Sequence, residues 1–515
     1  MAFQRPWLPL SANSIPCSRS GNKSTRGLHS VTPAESSETV EATSLDPANW
    51  VQFREQAHAA LDLVLSHVEG IRGQPVWQPP TPDALSYFTQ ELPTDAGDID
   101  ELLAGIRDYV VPFATGNLHP RFMGWVHGAG TPVGVIGELI AAGLDLNCGG
   151  RNHIGLAIER QVVKWMGQAF GYPACASGIF VTGSSMANFL AAIIAKTEAL
   201  GVESRERGLV HADRPLLAYA SSEAHSCIAQ ALQLSGIGSV HLRQIPVDEF
   251  RRMRGDQLER AIVADEQIGA QPFLVVGTAG TVNTGAIDPL EEIAAIAERH
   301  RLWFHVDGAI GALAMLSPKM KRNFSGLEKS DSIALDFHKW GHVPYDAGFL
   351  LVKDAEAHKR AFAQPAAYLQ RSNEGLAAGD TWPCDLGVDL SRGCRALKTW
   401  LTLAAFGTHR IGASIEGNCA LARYLADLVE SSDQFVLKAP VALNIVCFGI
   451  RNADPETVRA VVTKLQLSGI AAPSWTTLEG ESVVRCAIVN HRTTIEDIDI
   501  FWDALTQLAG EAAGK

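Results

Sequence analysis

The sequence lacks the features that mark membrane-spanning and nucleic-acid-binding proteins. None of its apolar runs reaches the roughly 18 residues that a membrane-spanning helix needs. Lys and Arg number 43 against 56 Asp and Glu, which gives a formal net charge of −13, and the basic residues form no cluster that could neutralise phosphates. We therefore expect neither a membrane nor a nucleic acid as a partner.

The cysteines also lack the spacing of a disulfide framework or of a zinc site. There are nine of them in 515 residues, an odd number, and no two form a CxxC pair. Scattered cysteines in a long chain favour reduced thiols and a reducing compartment. We expect a cytoplasmic protein without a bound metal.

The first 34 residues contain no acid, since the first acidic residue is Glu35, but they carry four basic residues and many serines. This composition is typical of an organellar transit peptide, yet no clear amphipathic helix accompanies it. We favour a disordered extension over residues 1–45, with a transit peptide in residues 1–34 as the alternative.

The chain is long enough for a large domain and a smaller one. Apolar residues at spacings of three and four predict a helix from Trp50 to Ile71. From about residue 155 to 355, short apolar runs alternate with amphipathic stretches, as in a mostly parallel sheet covered by helices. The runs that predict buried strands are 178–181, 215–220, 272–276, 302–306 and 349–352.

Two more strand-like runs, 443–450 and 482–489, are each followed by a helix-forming stretch and predict a small α+β domain. The resulting division is a helical segment with a substrate loop over 46–130, a large α/β domain over 131–404 and a small domain over 405–515.

Residues with cofactor chemistry follow several predicted strands. Ser184 and Ser185 precede a helix near Met186, where open backbone N–H groups could bind a phosphate or be capped in the ordinary way. Asp307 ends an apolar strand and could pair with the pyridine nitrogen of pyridoxal 5′-phosphate (PLP), or could cap the next turn.

Lys339 ends another apolar run, where a desolvated amine could form a Schiff base, although a solvated loop lysine is the simpler alternative. His225 could stack on an aromatic cofactor. Ligands bind beyond the carboxyl ends of strands in open α/β sheets. Because all these residues and Thr281 fall at successive strand ends, a single site is favoured over unrelated coincidences.

The chain resembles the group II pyridoxal-dependent decarboxylases, the family of aromatic L-amino acid, histidine and glutamate decarboxylases, from about residue 50 to the end. The matching motifs are HVDGA at His305, DFHKW at Asp336, GTAGTVNTGAIDPL at Gly277, NLHPRFMG at Asn117, VPYDAG at Val343, SRGCRALKTW at Ser391 and VNHRTT at Val489. The resemblance implies the α/β fold type I of PLP-dependent transferases, with a mostly parallel, seven-stranded type of sheet in the large domain.

By resemblance, Lys339 would hold the cofactor, Asp307 would pair with its ring nitrogen and His225 would stack over the ring. Tyr368 would protonate the carbon that loses CO₂. The remaining implied cofactor-binding residues are Ser184, Ser185, Thr281, Ala309 and His338. The candidate substrate residues are Trp125, Val126, His127, Tyr345 and Arg395. The family also implies a homodimer with shared active sites.

Three positions depart from the family pattern. The phosphate loop reads GSSMAN in place of two glycines and an acid, and Asp336 stands where some relatives have a neutral polar residue. Trp125, Val126 and His127 replace the Tyr-Phe-Pro of aromatic decarboxylases, so the sequence does not identify the substrate.

The function that the resemblance implies is decarboxylation of an L-amino acid to the amine and CO₂. The first alternative is aldehyde synthesis by oxidative decarboxylation and deamination, or another PLP lyase reaction. Tyr368 favours decarboxylation, because phenylalanine at that position tends to divert the family toward aldehyde. The second alternative is a non-enzymatic relative without cofactor, which the complete set of cofactor residues disfavours.

Overall fold

A computed structural model of the chain describes residues 44–364 and 371–513. The chain divides into two units, Met1–Arg54 and Glu55–Lys515, and the site described below lies in the second. No helix of the described ranges is long and apolar enough to cross a membrane. The transit-peptide interpretation of residues 1–34 falls outside these ranges.

The described ranges contain the following regular elements. The helices are α1 Trp50–Glu69, α2 Pro82–Tyr87, α3 Ile99–Tyr109, α4 Pro132–Gly143, α5 Ile154–Phe170, α6 Ser184–Leu200, α7 Ser204–Arg207, α8 Cys227–Leu234, α9 Gly255–Gln267, α10 Leu290–His300, α11 Ala355–Phe362, α12 Arg395–Glu430, α13 Pro455–Leu467 and α14 Ile495–Ala513. The strands are β1 Phe122–Met123, β2 Ser177–Val181, β3 Leu216–Ser221, β4 Leu242–Ile245, β5 Gln271–Thr278, β6 Trp303–Asp307, β7 Ser332–Asp336, β8 Gly348–Val352, β9 Phe435–Leu437, β10 Ile445–Ile450, β11 Ala472–Leu478 and β12 Glu481–Ala487.

The larger sheet has seven strands in the order β2-β8-β7-β6-β5-β3-β4. Strand β8 runs antiparallel to both of its neighbours, and the other pairs are parallel. Strands β6, β7 and β8 are buried along nearly their whole length, as expected for a sheet with helices on both faces. The predicted fold class is therefore confirmed.

The parallel strands bring their carboxyl ends to one edge of this sheet. In the register, Thr278 at the end of β5 is opposite Asp307 at the end of β6. Helix α6 begins directly after β2, two residues earlier than the start predicted near Met186. The five strands predicted in this region correspond to β2, β3, β5, β6 and β8, and the edge strand β4, which contains Arg243 and Gln244, was not predicted.

The smaller sheet has the order β1-β11-β12-β10-β9 and joins distant parts of the chain. The short strand β1 pairs in parallel with β11, with Phe122 opposite Ala472. The two strands predicted after residue 405 correspond to β10 and β12. The proposed boundary between residues 404 and 405 falls inside α12, close to its kink at Gly407, and the division into domains remains a prediction.

Candidate active site

A cavity of about 430 Å³ lies at the carboxyl edge of the larger sheet. Parallel strands create such a crevice where successive connections leave the sheet. The sequence-predicted residues that line it are Trp125, Val126, His127, Ser184, Ser185, His225, Asp307, Ala309, Lys339 and Tyr345. The structure thus brings together most of the residues that the sequence singled out, although their roles remain proposals.

The first turn of α6 presents an anion-binding end to the cavity. Gly183 stands at the N-cap in an extended conformation and supplies no side-chain cap, so the first N–H groups of the helix need another acceptor. Asp336 is that acceptor: Ser184 N and Ser184 Oγ each donate a hydrogen bond of 2.7 Å to its carboxylate. Ser185 is exposed next to it.

Gly348 of β8 explains why this turn lies so close to the sheet. A Cβ at this position would collide with the backbone of Gly183, so only glycine permits the approach. The position of Ser184 therefore depends on a residue that is distant in sequence.

Asp307 lies at the end of β6 and is 4% exposed. One carboxylate oxygen accepts a hydrogen bond of 3.2 Å from Ala309 N, and the other accepts none from the residues that the structure describes. Burial raises the pKa of this carboxyl, while the Ala309 N–H and the charges of Lys339 and His225 oppose that rise.

Lys339 directs its amine onto Asp336, with 2.8 Å between Nζ and Oδ2. Burial by itself lowers the pKa of Lys339, but attraction to Asp336, their hydrogen bond and the charge of Asp307 together raise the pKa above its ordinary value. The amine of this structure is therefore an ammonium paired with a buried carboxylate.

Aromatic rings form one wall of the cavity. His127 stacks against both Phe122 and Trp125, with its ring centroid 5.7 and 5.9 Å from theirs, and Tyr345 meets His127 edge-on at 6.2 Å. Trp125 is 57% exposed and Tyr345 is 48% exposed, so both rings keep free faces. The sequence-predicted substrate loop is thus an aromatic surface.

Two predicted cofactor residues are absent from the cavity lining. The hydroxyl of Thr281 bonds the Thr284 hydroxyl and accepts from Ala286 N, so it stabilises its own turn. His338 accepts a hydrogen bond from Ala347 N, and its ring packs on Tyr345 at 4.3 Å. Both are buried, and neither places a polar atom in the cavity.

The candidate substrate residue Arg395 is also absent from the lining. Its Nε and Nη2 donate to the carboxylate of Asp346 at 2.8 and 3.3 Å. Tyr368 lies outside the described residues.

Sequence reasoning missed several residues that line the cavity, and Thr278 and Arg485 are two of them. Thr278 ends β5, and its buried hydroxyl has no hydrogen-bond partner among the residues that the structure describes. Its position at a strand end was the signal that could have identified it. Arg485 comes from β12 of the smaller sheet, and no local pattern distinguishes it.

Arg485 is 4% exposed and is held entirely by neutral groups. Its guanidinium donates to the carbonyls of Val282 and Asn283 and to Ser474 Oγ, without a carboxylate partner in the described ranges. Burial lowers the pKa of this guanidinium, because no opposite charge compensates the lost hydration. A buried cation of this kind at a cavity is suited to donate hydrogen bonds to an anionic group.

These polar groups fit PLP. The free oxygen of Asp307 and the orphaned hydroxyl of Thr278 need a polar ligand, since buried polar groups without partners are costly. The Lys339 amine opens into the same cavity, and Ser184 and Ser185 stand at a helix N-terminus suited to a phosphate.

Comparison with known proteins agrees with this chemistry. A family model described as "Pyridoxal-dependent decarboxylase conserved domain" matches residues 82–451. An aromatic-L-amino-acid decarboxylase of Bacillus atrophaeus is 30% identical over 462 residues, covering 87% of this chain and 93% of that protein. A 3,4-dihydroxyphenylacetaldehyde synthase of Aedes aegypti is 28% identical over 473 residues, covering 88% of each.

A solved structure also shares the fold. The crystal structure of mouse CSAD is similar with a TM-score of 0.83 at 25% identity, covering 90% of this chain and 99% of that one.

Proposed function

The chain belongs to the pyridoxal-dependent decarboxylase family, whose cofactor is pyridoxal 5′-phosphate, and on that premise we propose that it converts an L-amino acid to the corresponding amine and CO₂. One feature of the cavity supports this function most directly. Lys339 and Asp307 come from the ends of the neighbouring strands β7 and β6, and both line the same cavity. An amine that can hold a carbonyl group and a carboxylate with a free oxygen are the two groups that the chemistry needs.

Three residues of the cavity would each contact a different part of the cofactor. When bound, PLP supplies an electron-accepting ring that takes up the electron pair left by departing CO₂. Lys339 would hold this group through Nζ, and Asp307 would keep a proton on its ring nitrogen. His225 would lie over the ring, since its side chain is exposed and its Nδ1 is fixed by a 3.1 Å hydrogen bond from Cys227 N.

The substrate would be recognised at both ends. Arg485 would receive the carboxylate, because its guanidinium is buried at the cavity and has only neutral partners. Trp125, Val126, His127 and Tyr345 would contact the side chain of the amino acid from the aromatic wall.

The direct test is Lys339→Ala. Removal of the amine should abolish CO₂ release and the visible absorbance of the lysine-bound cofactor, because no other lysine of the described ranges lines the cavity. CO₂ release should be measured with the common amino acids, dihydroxyphenylalanine and diaminobutyrate, so that the same experiment identifies the substrate.

Lys359→Ala is the matched control, since Lys359 pairs with the exposed Asp380 and neither residue lines the cavity. It should behave like the wild type in both measurements. A purified Lys339→Ala protein that keeps the absorbance and releases CO₂ would refute the assignment.

Aldehyde synthesis is the second candidate, and the similarity to the Aedes aegypti synthase favours keeping it. Decarboxylation yields one amine per CO₂, whereas the oxidative reaction consumes O₂ and yields aldehyde, ammonia and H₂O₂. Tyr368 would act as the proton donor in the first reaction. We expect amine from the wild type and a shift toward aldehyde, ammonia and H₂O₂ in Tyr368→Phe.

A homodimer in the cytoplasm is the proposed working form, with Tyr368 acting across the interface. Helix α4 supports self-association because Leu139 and Ile140 are 56% and 44% exposed, and Leu144 just after it is 61% exposed. Neighbouring exposed apolar side chains are typical of an interface, and these three lie within six consecutive residues. Sedimentation of the purified chain should give twice the mass of one chain.

A further inference from the structure

Asp336 occupies an unusual position between the two halves of the cofactor site. It ends β7, is 2% exposed and lines the cavity. One oxygen accepts from Ser184 N, and the other accepts from Ser184 Oγ and lies 2.8 Å from Lys339 Nζ. The carboxylate therefore joins the start of α6 to the amine of Lys339.

The ion pairs and hydrogen bonds of this carboxylate stabilise its charge. Burial by itself raises the pKa of Asp336, but the charges of Lys339 and His338 and the hydrogen bonds from Lys339 and Ser184 outweigh burial and lower it. His338 Nε2 lies 3.7 Å from Oδ1, near enough to act through its charge when protonated. Asp336 is therefore an anion.

The donors that hold Asp336 are those that a phosphate needs. A phosphate at a helix N-terminus accepts from the first backbone N–H groups and from hydroxyls beside them. At α6, Ser184 N and Ser184 Oγ are two such donors, both engaged by Asp336, and the exposed Ser185 stands beside them. Two anions cannot share the same two donors in a buried site without strong repulsion.

We propose that Asp336 competes internally with the phosphate of the cofactor and thereby limits how tightly this chain holds PLP. This inference rests on the proposed function, because it places the phosphate at the start of α6. On binding, Asp336 would give up its hydrogen bonds from Ser184 and keep its contact with Lys339.

The charge of Asp336 acts on binding in two separable ways. Competition for the donors of Ser184 weakens the binding of a ligand that carries a phosphate. The pairing with Lys339 Nζ keeps the amine protonated and disfavours its reaction with any aldehyde, with or without a phosphate. Pyridoxal, which lacks the phosphate, therefore separates the two effects.

The test compares the wild type with Asp336→Asn, using the full chain stripped of cofactor. Asparagine keeps the shape of the aspartate side chain but removes its negative charge. The hydrogen bonds from Ser184 to residue 336 should then be weaker, and a phosphate should displace them more easily. Affinity for PLP should rise by about tenfold or more, the worth of one hydrogen bond to a charged group. Affinity for pyridoxal should rise less, and inorganic phosphate should raise the melting temperature more in the variant than in the wild type.

Asp331→Asn is the matched control, because Asp331 precedes the same strand and accepts from Phe304 N but does not line the cavity. It should leave all three measurements unchanged. Asp336→Ser, a smaller uncharged variant, should reproduce the gain if Asp336→Asn does not fold.

Equal gains for PLP and pyridoxal would overturn the proposal, since the effect would then come from Lys339 alone. Unchanged or weaker PLP binding by the folded uncharged variants would overturn it as well. Failure of the proposed function is a separate result, because it would appear as absent CO₂ release in a wild type that binds the cofactor normally.

Discussion

At the scale of single residues, the buried carboxyl groups of this protein differ in the cations and hydrogen-bond donors that stabilise them. Asp336 is compensated by Lys339 and Ser184, whereas Asp307 keeps one free oxygen. Asp288 is a third case. It accepts hydrogen bonds of 2.7 and 2.8 Å from Met253 N and Thr278 N, but no cation pairs with it within the described ranges.

Asp288 predicts a specific dependence of stability on pH. Burial raises its pKa to about 6, although both backbone hydrogen bonds oppose the rise. In the unfolded chain the pKa is about 4. Below about pH 4 the Asp288 carboxyl is protonated in both the folded and the unfolded chain. Between about pH 4 and 6 it ionises only in the unfolded chain, so ionisation of Asp288 favours unfolding more strongly as the pH rises.

The measurement is the difference in melting temperature between the wild type and Asp288→Asn from pH 5 to 7.5. Across this range the wild type should lose up to about 1.5 kcal/mol of stability relative to the uncharged variant, mostly below about pH 6, and the difference should then level off. Asp503→Asn, on the exposed face of α14, controls for loss of a carboxylate. A difference that grows in favour of the wild type would contradict the prediction.

At the scale of elements, the site depends on close approaches of backbone segments. The substrate loop passes so near the segment after β7 that a Cβ on Gly128 would stand 2.6 Å from Lys339 O and closer still to His338 O. Gly348 allows α6 its equivalent approach to the sheet. Both contacts join segments that are distant in sequence.

Gly128→Ala should displace the backbone of Lys339. Overpacking of this kind costs about 1–3 kcal/mol of stability, and the shifted amine should bind PLP at least about tenfold more weakly. Thermal melting and cofactor titration measure the two effects.

Gly417→Ala is the control for this element, because a Cβ at Gly417 inside α12 meets no atom within 4 Å. It should stabilise the protein by up to about 1 kcal/mol without changing cofactor affinity. Equal cofactor affinity in Gly128→Ala and the wild type would show that the loop adapts without moving Lys339.

At the scale of the whole second unit, the smaller sheet completes the cavity of the larger one. Ser474, Trp475 and Thr476 of β11 and Arg485 of β12 all line it. Thr476 Oγ1 also donates to Asn283 Oδ1 at 3.0 Å, which ties β11 to the loop after β5. The cavity therefore exists only when both sheets are in place.

Arg485→Lys tests this contribution. Lysine keeps the charge but loses the forked donors, so the KM of the substrate should rise by roughly tenfold to a hundredfold, with a smaller change in kcat. Arg451→Lys, on the exposed surface after β10, should leave both constants unchanged. An unchanged KM in Arg485→Lys would remove Arg485 from substrate binding.

The same difference of scale explains what could be predicted from the sequence. Strands β2, β3, β5, β6 and β8 were predictable because each is a run of apolar residues that a covered sheet must bury. Asp307 and Lys339 were predictable because their place at strand ends is a local property, and the motif resemblance identified the cofactor.

Tertiary structure decided which side chains reach the cavity. Thr278 lines it in place of Thr281, because the hydroxyl of Thr281 is consumed within its own turn. Arg395 is held by Asp346, while Arg485 is brought to the site from another sheet.

The sequence alone therefore determined the fold class and the positions of Lys339 and Asp307 after two apolar runs, since these follow from local burial patterns, while the roles of the two residues remain proposals. Tertiary structure alone decided that Asp336 pairs with Ser184 and that Arg485 lines the cavity. Asp336 and Ser184 are 152 positions apart in the sequence, and Arg485 and its partner Val282 are about 200 apart. No short-range pattern encodes such pairs, because they form only when separately folded elements pack against each other.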